Sequence, residues 1–548
     1  MSSIPPDLPN PCPTCGSLTK ATFSDHSRSS RVSELLQCND PPSDSELSDF
    51  RNVTKSGPGR IADIDEKIAH AREHLTALIQ ERNVLEANIN DARTLSSPIR
   101  RLPSDVLRDI ALATIPSRYE VMNFPELRTG SSNSLDSRES PWTLAQVSHR
   151  WRLTIVSAPE VWSSMSLLIK HDEKPTTVAH QMFMTGLRLE RSKFLPLTVS
   201  VSVHPEADIS NHPLLLLIST RSSLIRNLRI RASLISYLEF SWWRGCLDQL
   251  YCLTLMAVAP LSRVLQPSGS IKSVIDAFEY APQLKMITVD DFHSSFRYPK
   301  TQITHLTLLT IDWKDVENIR QFHHLNNLHI TYSRSTPPVS TDHRVISLPA
   351  LTSLTLMYLY DRPHRLPPSH LESDPIFSLI SIPNLTHLRL VYSTGFIVCP
   401  SIPIQNAITA LRIELDIRDN HTMSFPQKEL SVLLESIPNL RDLVISSSSM
   451  APFVCDASLL VLLLGDIPLH HLRTLDFRGS TLQGWMFGIN CMQKFVEMVE
   501  AHRQGNSGEM DQMETVYLCY PLTLDRIYAR RWRSLIDGGL KVVYGPEP

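Results

Sequence analysis

The sequence predicts an α/β chain in which a small all-helical part precedes a solenoid of short parallel strands and helices. Three observations carry this expectation. Apolar residues recur at seven-residue spacing between 61 and 92, a second apolar ladder bracketed by prolines lies between 98 and 116, and from 225 onward the phrase apolar-x-x-apolar-x-apolar returns in eleven units. With 548 residues, 42% hydrophobic and 20% charged, the chain has an ordinary globular balance and can bury a large core. The division expected is a disordered tail over 1–58, a long amphipathic helix over 59–97, a helical domain with an internal loop insert over 98–168, and degenerate repeats with a C-terminal cap over 169–548.

Composition removes several function classes. A net charge of −3 gives no basic field, so neither nucleic acid nor an anionic membrane surface is an expected partner. Glycine, at 17 residues against 39 prolines, is scarce for a protein built on phosphate-binding loops. The opening MSSIPPDLPN lacks the basic and apolar regions of a signal peptide, and apolar runs such as LLLLI at 214–218 are far below spanning length. A cytoplasmic or nuclear location is expected. Nine cysteines without regular spacing suit reduced thiols, which leaves the sequons at Asn52, Asn384 and Asn420 without a role. Cys12 and Cys15 form a C-x-x-C that His26 or Cys38 would have to complete; the second ligand pair of a structural zinc site is missing, so no metal is expected.

Residues 1–58 are rich in Ser, Pro, Asp and Asn with few apolar clusters, the composition of a flexible tail. From Ile61 the texture changes. Ile61, Ile68, Leu75, Arg82 and Ile89 form one heptad series, and Ile64, Ala71, Leu78, Leu85 and Ala92 the other. The seam admits either a coiled-coil dimer or a single helix lying on its own domain. Arg82 in the seam and the two alanines favour the single helix. Ser96, Ser97 and Pro98 end it.

The ladder SPIRRLPSDVLRDIALATIP places Leu102, Val106, Leu107 and Ile110 on one face of a helix too short to be a domain. A polar insert follows, and then PWTLAQVSHRWRLTIVSAPEVWSSMSL, with Leu144, Val147, Trp151 and Ile155 at helical spacing before Pro159 and Trp162. These residues resemble the motif of the F-box proteins: L-P-x-[ED]-x-L-x-x-I in Leu102, Pro103, Asp105, Leu107 and Ile110; V-[CS]-[RK]-x-W-[RK] in Val147, Ser148, Trp151 and Arg152, with the basic residue one place late at Arg150; and P-x-L-W in Pro159 and Trp162. Ala111 stands where an aromatic is usual, and the insert separates the first helix from the rest. The phrase NDPPSDSEL and the PWTLAQVSHRW junction are similar to the large F-box families of mushroom-forming (basidiomycete) fungi, in which such inserts are common.

The resemblance implies that Leu102, Pro103, Val106, Leu107 and Ile110 form an exposed face that docks on the adaptor subunit of an SCF ubiquitin ligase, and through it on a cullin. A small helical unit cannot bury all of that face itself, and a partner groove completes the burial. Leu144, Val147, Trp151 and Trp162 are expected to form the core of the unit.

The eleven units run from Ile225, Leu228 and Ile230 to Met513, Val516 and Leu518, and first anchors are spaced from 19 residues (Leu284 to Ile303) to 41 (Leu472 to Met513). Such spacing fits a degenerate leucine-rich repeat, with room for a helix or loop between strands. The lead-ins APQL at 281, LPAL at 348 and IPNL at 382 and 437 repeat one phrase. The usual asparagine or cysteine after the strand is mostly missing. The segment 522–544 reads as an amphipathic helix, a Gly538-Gly539 stop and a final strand, a cap for the array. Within each phrase the residue between the last two anchors points away from the core. Thr307, His329, Thr355, Arg389, Arg412, Val444 and Asp476 hold that position and are the expected target-binding row, mixed in charge as a protein surface requires.

No G-x-S-x-G, H-E-x-x-H, Walker loop or G-x-G-x-x-G occurs in the sequence. Adjacent histidines at 323–324 and 470–471 precede strands and would point to opposite faces, and Trp242-Trp243 reads as a loop or core pair. No enzymatic activity and no cofactor is expected. The expected function is substrate recognition for an SCF-type cullin-RING ligase acting on an unknown protein target; the alternative is a non-ligase interaction scaffold using the same surfaces.

Overall fold

In the computed structural model the described residues are 30–38, 40–123, 134–258, 274–290, 296–311, 317–333, 345–359, 376–392, 407–415, 427–447, 469–478, 489–503, 512–518, 521–522 and 524–545. Cys12, Cys15 and His26 lie outside them, as do residues 124–133 of the insert and the Asn420 sequon. The chain divides into two compact units, Met1–Leu102 and Pro103–Pro548.

The first unit contains helix α1 (Ser30–Gln37) and the long helix α2 (Asp44–Ser96). The helix thus begins well ahead of residue 59, inside what reads as tail. The cause is a capping box: the Glu46 amide donates to Ser43 Oγ at 3.4 Å, and the Ser43 amide donates to Glu46 Oε2 at 2.7 Å. Pro58 costs the helix one donor without ending it. No residue of α2 is buried, and Ile61, Ile64, Ile68, Leu75, Leu78 and Leu85 are all exposed.

The second unit opens with α3 (Ser104–Thr114), α4 (Arg118–Asn123), α5 (Leu144–Val147) and α6 (His149–Ser157). Strands β1 (Ser164–Ile169), β2 (Leu197–Val203), β3 (Ile225–Ala232) and β4 (Cys252–Ala257) follow, with α7 (Pro175–Arg191) and α8 (Pro213–Ser219) between the first three. Next come β5 (Met286–Val289), β6 (His305–Ile311), β7 (Asn327–Ser333), β8 (Ile346–Ser347), β9 (Ser353–Leu359), β10 (Ile380–Ser381), β11 (His387–Tyr392) and β12 (Ala410–Leu415). The chain finishes with β13 (Asp442–Ser447), β14 (Thr474–Asp476), β15 (Thr515–Leu518) and β16 (Lys541–Tyr544). Fourteen of these strands form one parallel sheet in chain order, and β8 and β10 form a separate parallel pair. Since β1 belongs to the sheet, the boundary expected at 168/169 cuts through its first strand.

Every anchor of the eleven repeat units is buried, from Ile225 to Leu518. The four lead-ins form one and the same turn. The anchor leucine amide donates to the carbonyl three residues earlier in Leu284→Ala281, Leu351→Leu348, Leu385→Ile382 and Leu440→Ile437, at 3.2 to 3.3 Å. Proline fits the second position of such a turn because its φ is already fixed. At the end of the chain, helix Arg526–Asp537 is capped by Asp525, whose carboxylate accepts from the Ile527 and Tyr528 amides at 2.9 Å. Gly539, at φ +96°, supplies the left-handed turn into β16.

Candidate functional site

The helices that carry the F-box-like residues are held by short local devices. Ser148 caps α6 by accepting the Trp151 amide at 3.3 Å, and Ser117 and Glu120 form a reciprocal cap on α4. α3 packs against α6 and the turn Pro159–Val161, and α5 packs against α6. Leu107 and Ala111, one turn apart, face inward; Leu107 is 1% exposed. This corrects its place on a docking face.

Around that stripe the other ladder residues stay at the surface. Pro103 is exposed, Val106 is 37% exposed and Ile110 is half-buried, while Leu102, half-buried, is the last residue of the first unit. Trp151 and Trp162 are buried and Leu144 half-buried. Val147 is 58% exposed, against its expected core role; α5 is a single turn whose inward position is taken by Ala145. Leu153 on α6 is exposed as well.

Trp142, which the sequence reading passed over, completes the core. Its ring meets Trp162 edge-on at 4.8 Å, and its Nε1 donates to the Ser134 carbonyl at 3.0 Å. Arg191 lies over Trp162 at 4.5 Å. Arg188 is fully buried beside both rings and donates to the Ser164 carbonyl at the start of β1, and burial pushes its guanidinium down to about 9.

The expected target-binding row is one line across the sheet. The parallel register aligns Thr307 with His329, His329 with Thr355, Thr355 with Arg389, Arg389 with Arg412, Arg412 with Val444 and Val444 with Asp476. The same line continues backward through Thr288, Thr254, Arg229 and Ser200, and forward to Tyr517. These residues alternate with the buried anchors and share the opposite face.

Two charge clusters shape that face. Arg389 Nη2 donates to Glu414 Oε2 at 2.5 Å, and Arg412 Nε donates to the other oxygen of the same carboxylate. Asp476 is held by Arg478 through Nε at 3.1 Å and Nη2 at 2.9 Å, and the Arg478 guanidinium stacks on Tyr517 at 3.9 Å. Glu414 and Arg478 lie one pleat beyond the expected row, which is why a reading confined to one position per strand missed them.

Burial and, to a lesser degree, the Arg389 cation push His329 down to about 4. The fold therefore favours its neutral form. That stabilisation is complete above the ordinary value of 6.5 and is lost as pH falls toward about 4. Urea titrations across this window should show wild type losing more stability than His329→Gln, and equal losses would remove His329 as the cause.

No protein-family model matches the chain, and none of the curated proteins does.

The open face is not uniformly available. Ser200, Asn227, Arg229 and Thr254 on β2–β4 are buried, whereas Thr288, Thr307, His329, Thr355, Arg389 and Arg412 are at least partly exposed. The cover comes from the insert: α4 packs against β1, β2 and β3 with Val121 and Met122 buried, and Arg118 reaches Cys252 on β4. Burial pushes the Cys252 thiol up, and Arg118 partly opposes this. Ser134, at the end of the insert, donates its amide to the Ser166 carbonyl at 3.1 Å and so pairs the outer edge of β1. The closely spaced apolar pair Val121-Met122 was the available signal in an otherwise polar insert.

Among the described residues no group of three His, Cys, Asp or Glu side chains could hold a metal ion, and no helix is long and apolar enough to cross a membrane. His323, His324 and His470 are exposed, and Trp243 is buried against Phe240 at 5.1 Å.

Proposed function

We propose that the chain is the substrate-recognition subunit of an SCF-type cullin-RING ubiquitin ligase, built as an F-box followed by a leucine-rich-repeat-like solenoid. The F-box docks on the adaptor, and the open face of β5–β13 binds the target protein. The observation that carries this reading is the division of the ladder in α3. Leu107 and Ala111 are spent on internal packing, while Pro103, Val106 and Ile110 remain at the surface for a partner, with Val147 and Leu153 exposed on the neighbouring helices. Strand β1 starts two residues after Trp162, so the target-binding sheet grows directly from the F-box. The mechanism is positional: holding the target beside the ligase raises the effective concentration of its lysines near the ubiquitin-charged enzyme. The chain needs no bond chemistry of its own, and it acts in the cytoplasm or nucleus.

The test is capture of the adaptor by the full chain. Val106→Asp, on an exposed position, should leave the thermal melt unchanged and weaken adaptor binding by about 2 kcal/mol or more, the cost of a charge in a desolvated apolar contact. Undiminished capture would remove the adaptor-docking role. Co-purification of a cullin with ubiquitin-bearing targets separates a ligase from an interaction scaffold. In the same assay Arg389→Glu with Arg412→Glu should release the target and retain the adaptor.

A further inference from the structure

The seam of α2 is the largest apolar feature that the reading above leaves unused. All 53 residues of the helix stay unburied, although its heptads place Ile, Leu and Ala in one continuous line. A long helix gains little stability by itself in water, and such a line calls for a covering surface. We propose that a second copy of this chain covers it, the two α2 helices running antiparallel over residues 64–96. This reading is independent of adaptor docking.

The order of side chains selects both the partner and its direction. In a parallel pair each seam residue meets its own copy. Arg82 would then face Arg82 inside the seam, Ala71 and Ala92 would leave thin layers, and the flanking pairs Lys67 with Arg72 and Glu81 with Glu86 would set like charges together. The antiparallel pair removes each fault. With the two-fold axis beside residues 79–81, Ile68 meets Ala92 and Ala71 meets Ile89, so each alanine is filled by an isoleucine, and Leu75 meets Leu85 in the layer between. Leu78 meets Arg82, whose head reaches the flank beside Glu81 of the second copy and, within its own helix, donates to Glu86 at 2.8 Å.

The flanking charges agree. Asp65 faces Arg93 and Arg72 faces Glu86, each pair occurring twice by symmetry. Ile79, exposed on the flank of the seam, meets its own copy at the axis. Glu81 also meets its own copy there, with one Arg82 on either side to offset the repulsion. Only a second copy of the same helix supplies this set of complements in this order.

The experiment uses the full chain and light scattering after size exclusion, with sedimentation equilibrium for the dissociation constant. Wild type should have twice the chain mass of 62.0 kDa at micromolar concentration. Arg72→Glu and Glu86→Arg, both on a fully exposed helix, should each weaken the dimer on the order of tenfold, and the double variant should restore it. In a parallel pair residue 72 faces Lys67 and residue 86 faces Glu81, so each single variant would tighten the dimer instead of weakening it. A monomeric wild type overturns the proposal, as does a dimer that the single variants leave intact or the double variant fails to rescue.

Discussion

Trp162→Ala is expected to give the largest loss of stability of any single substitution in the second unit, about 3 to 5 kcal/mol for a fully buried aromatic. The side chain has no solvent exposure, its Nε1 donates to the Ile155 carbonyl at 2.8 Å, and it packs on Trp142 and under Arg191. It also holds a second position. Trp162, Met165 and Leu167 have the spacing of a repeat unit, and Met165 and Leu167 align through β2 with the anchors Leu228 and Ile230 of β3. One residue thus serves as the last core residue of the helical part and the first anchor of the sheet. Urea unfolding should show the loss, and amide exchange should show it spreading into β1 and β2. A change under 1 kcal/mol would mean that the two parts do not share this residue's packing.

Leu107→Asp is expected to unfold the helical part rather than merely release a partner. A Leu at 1% exposure contributes about 2 to 5 kcal/mol through packing, and an unpaired carboxylate in its place adds the cost of a buried charge. Val106→Asp, its immediate neighbour, should leave the melt where it was. Thermal melts of the two variants side by side test this contrast, and equal melts would return Leu107 to the surface. Loss of adaptor capture by Leu107→Asp alone says nothing about the interface.

The repeat units were legible because their spacing is strict where burial is strict: all anchors from Ile225 onward fill one side of the sheet. β2 escaped the same reading because LTVSVSV alternates without the leading apolar-x-x step, and its outer face is sealed by α4 instead of facing water. β1 was hidden by overlap, since its lead-in had already been assigned to the F-box-like motif. In α3, four apolar residues at helical spacing span more arc than one packing stripe needs. Sequence alone shows that arc; only the position of α6 decides that Leu107 lies inside it and Val106 at its edge. The start of α2 could have been read from Ser43 and Glu46, but the Ser-, Pro-, Asp- and Asn-rich composition of 1–58 reads as a tail. The alignment of His329, Thr355, Arg389, Arg412 and Asp476 in one row followed from alternation, whereas the burial of Asp476 beneath that row and the sharing of Glu414 by two arginines depend on strand register and neighbouring side chains.

The insert helix over β1–β3 divides the sheet by tolerance to change. On β2–β4 a new side chain on the open face meets the covering segment or buried neighbours, so enlarging Ser200 or Thr254 carries a packing penalty. From β5 to β13 the corresponding positions point outward and can be exchanged at little expense in stability. The open face from β5 to β13 can therefore change its side chains while the strands beneath α4 hold still, so tolerance to substitution is polarised along the chain by one short covering helix.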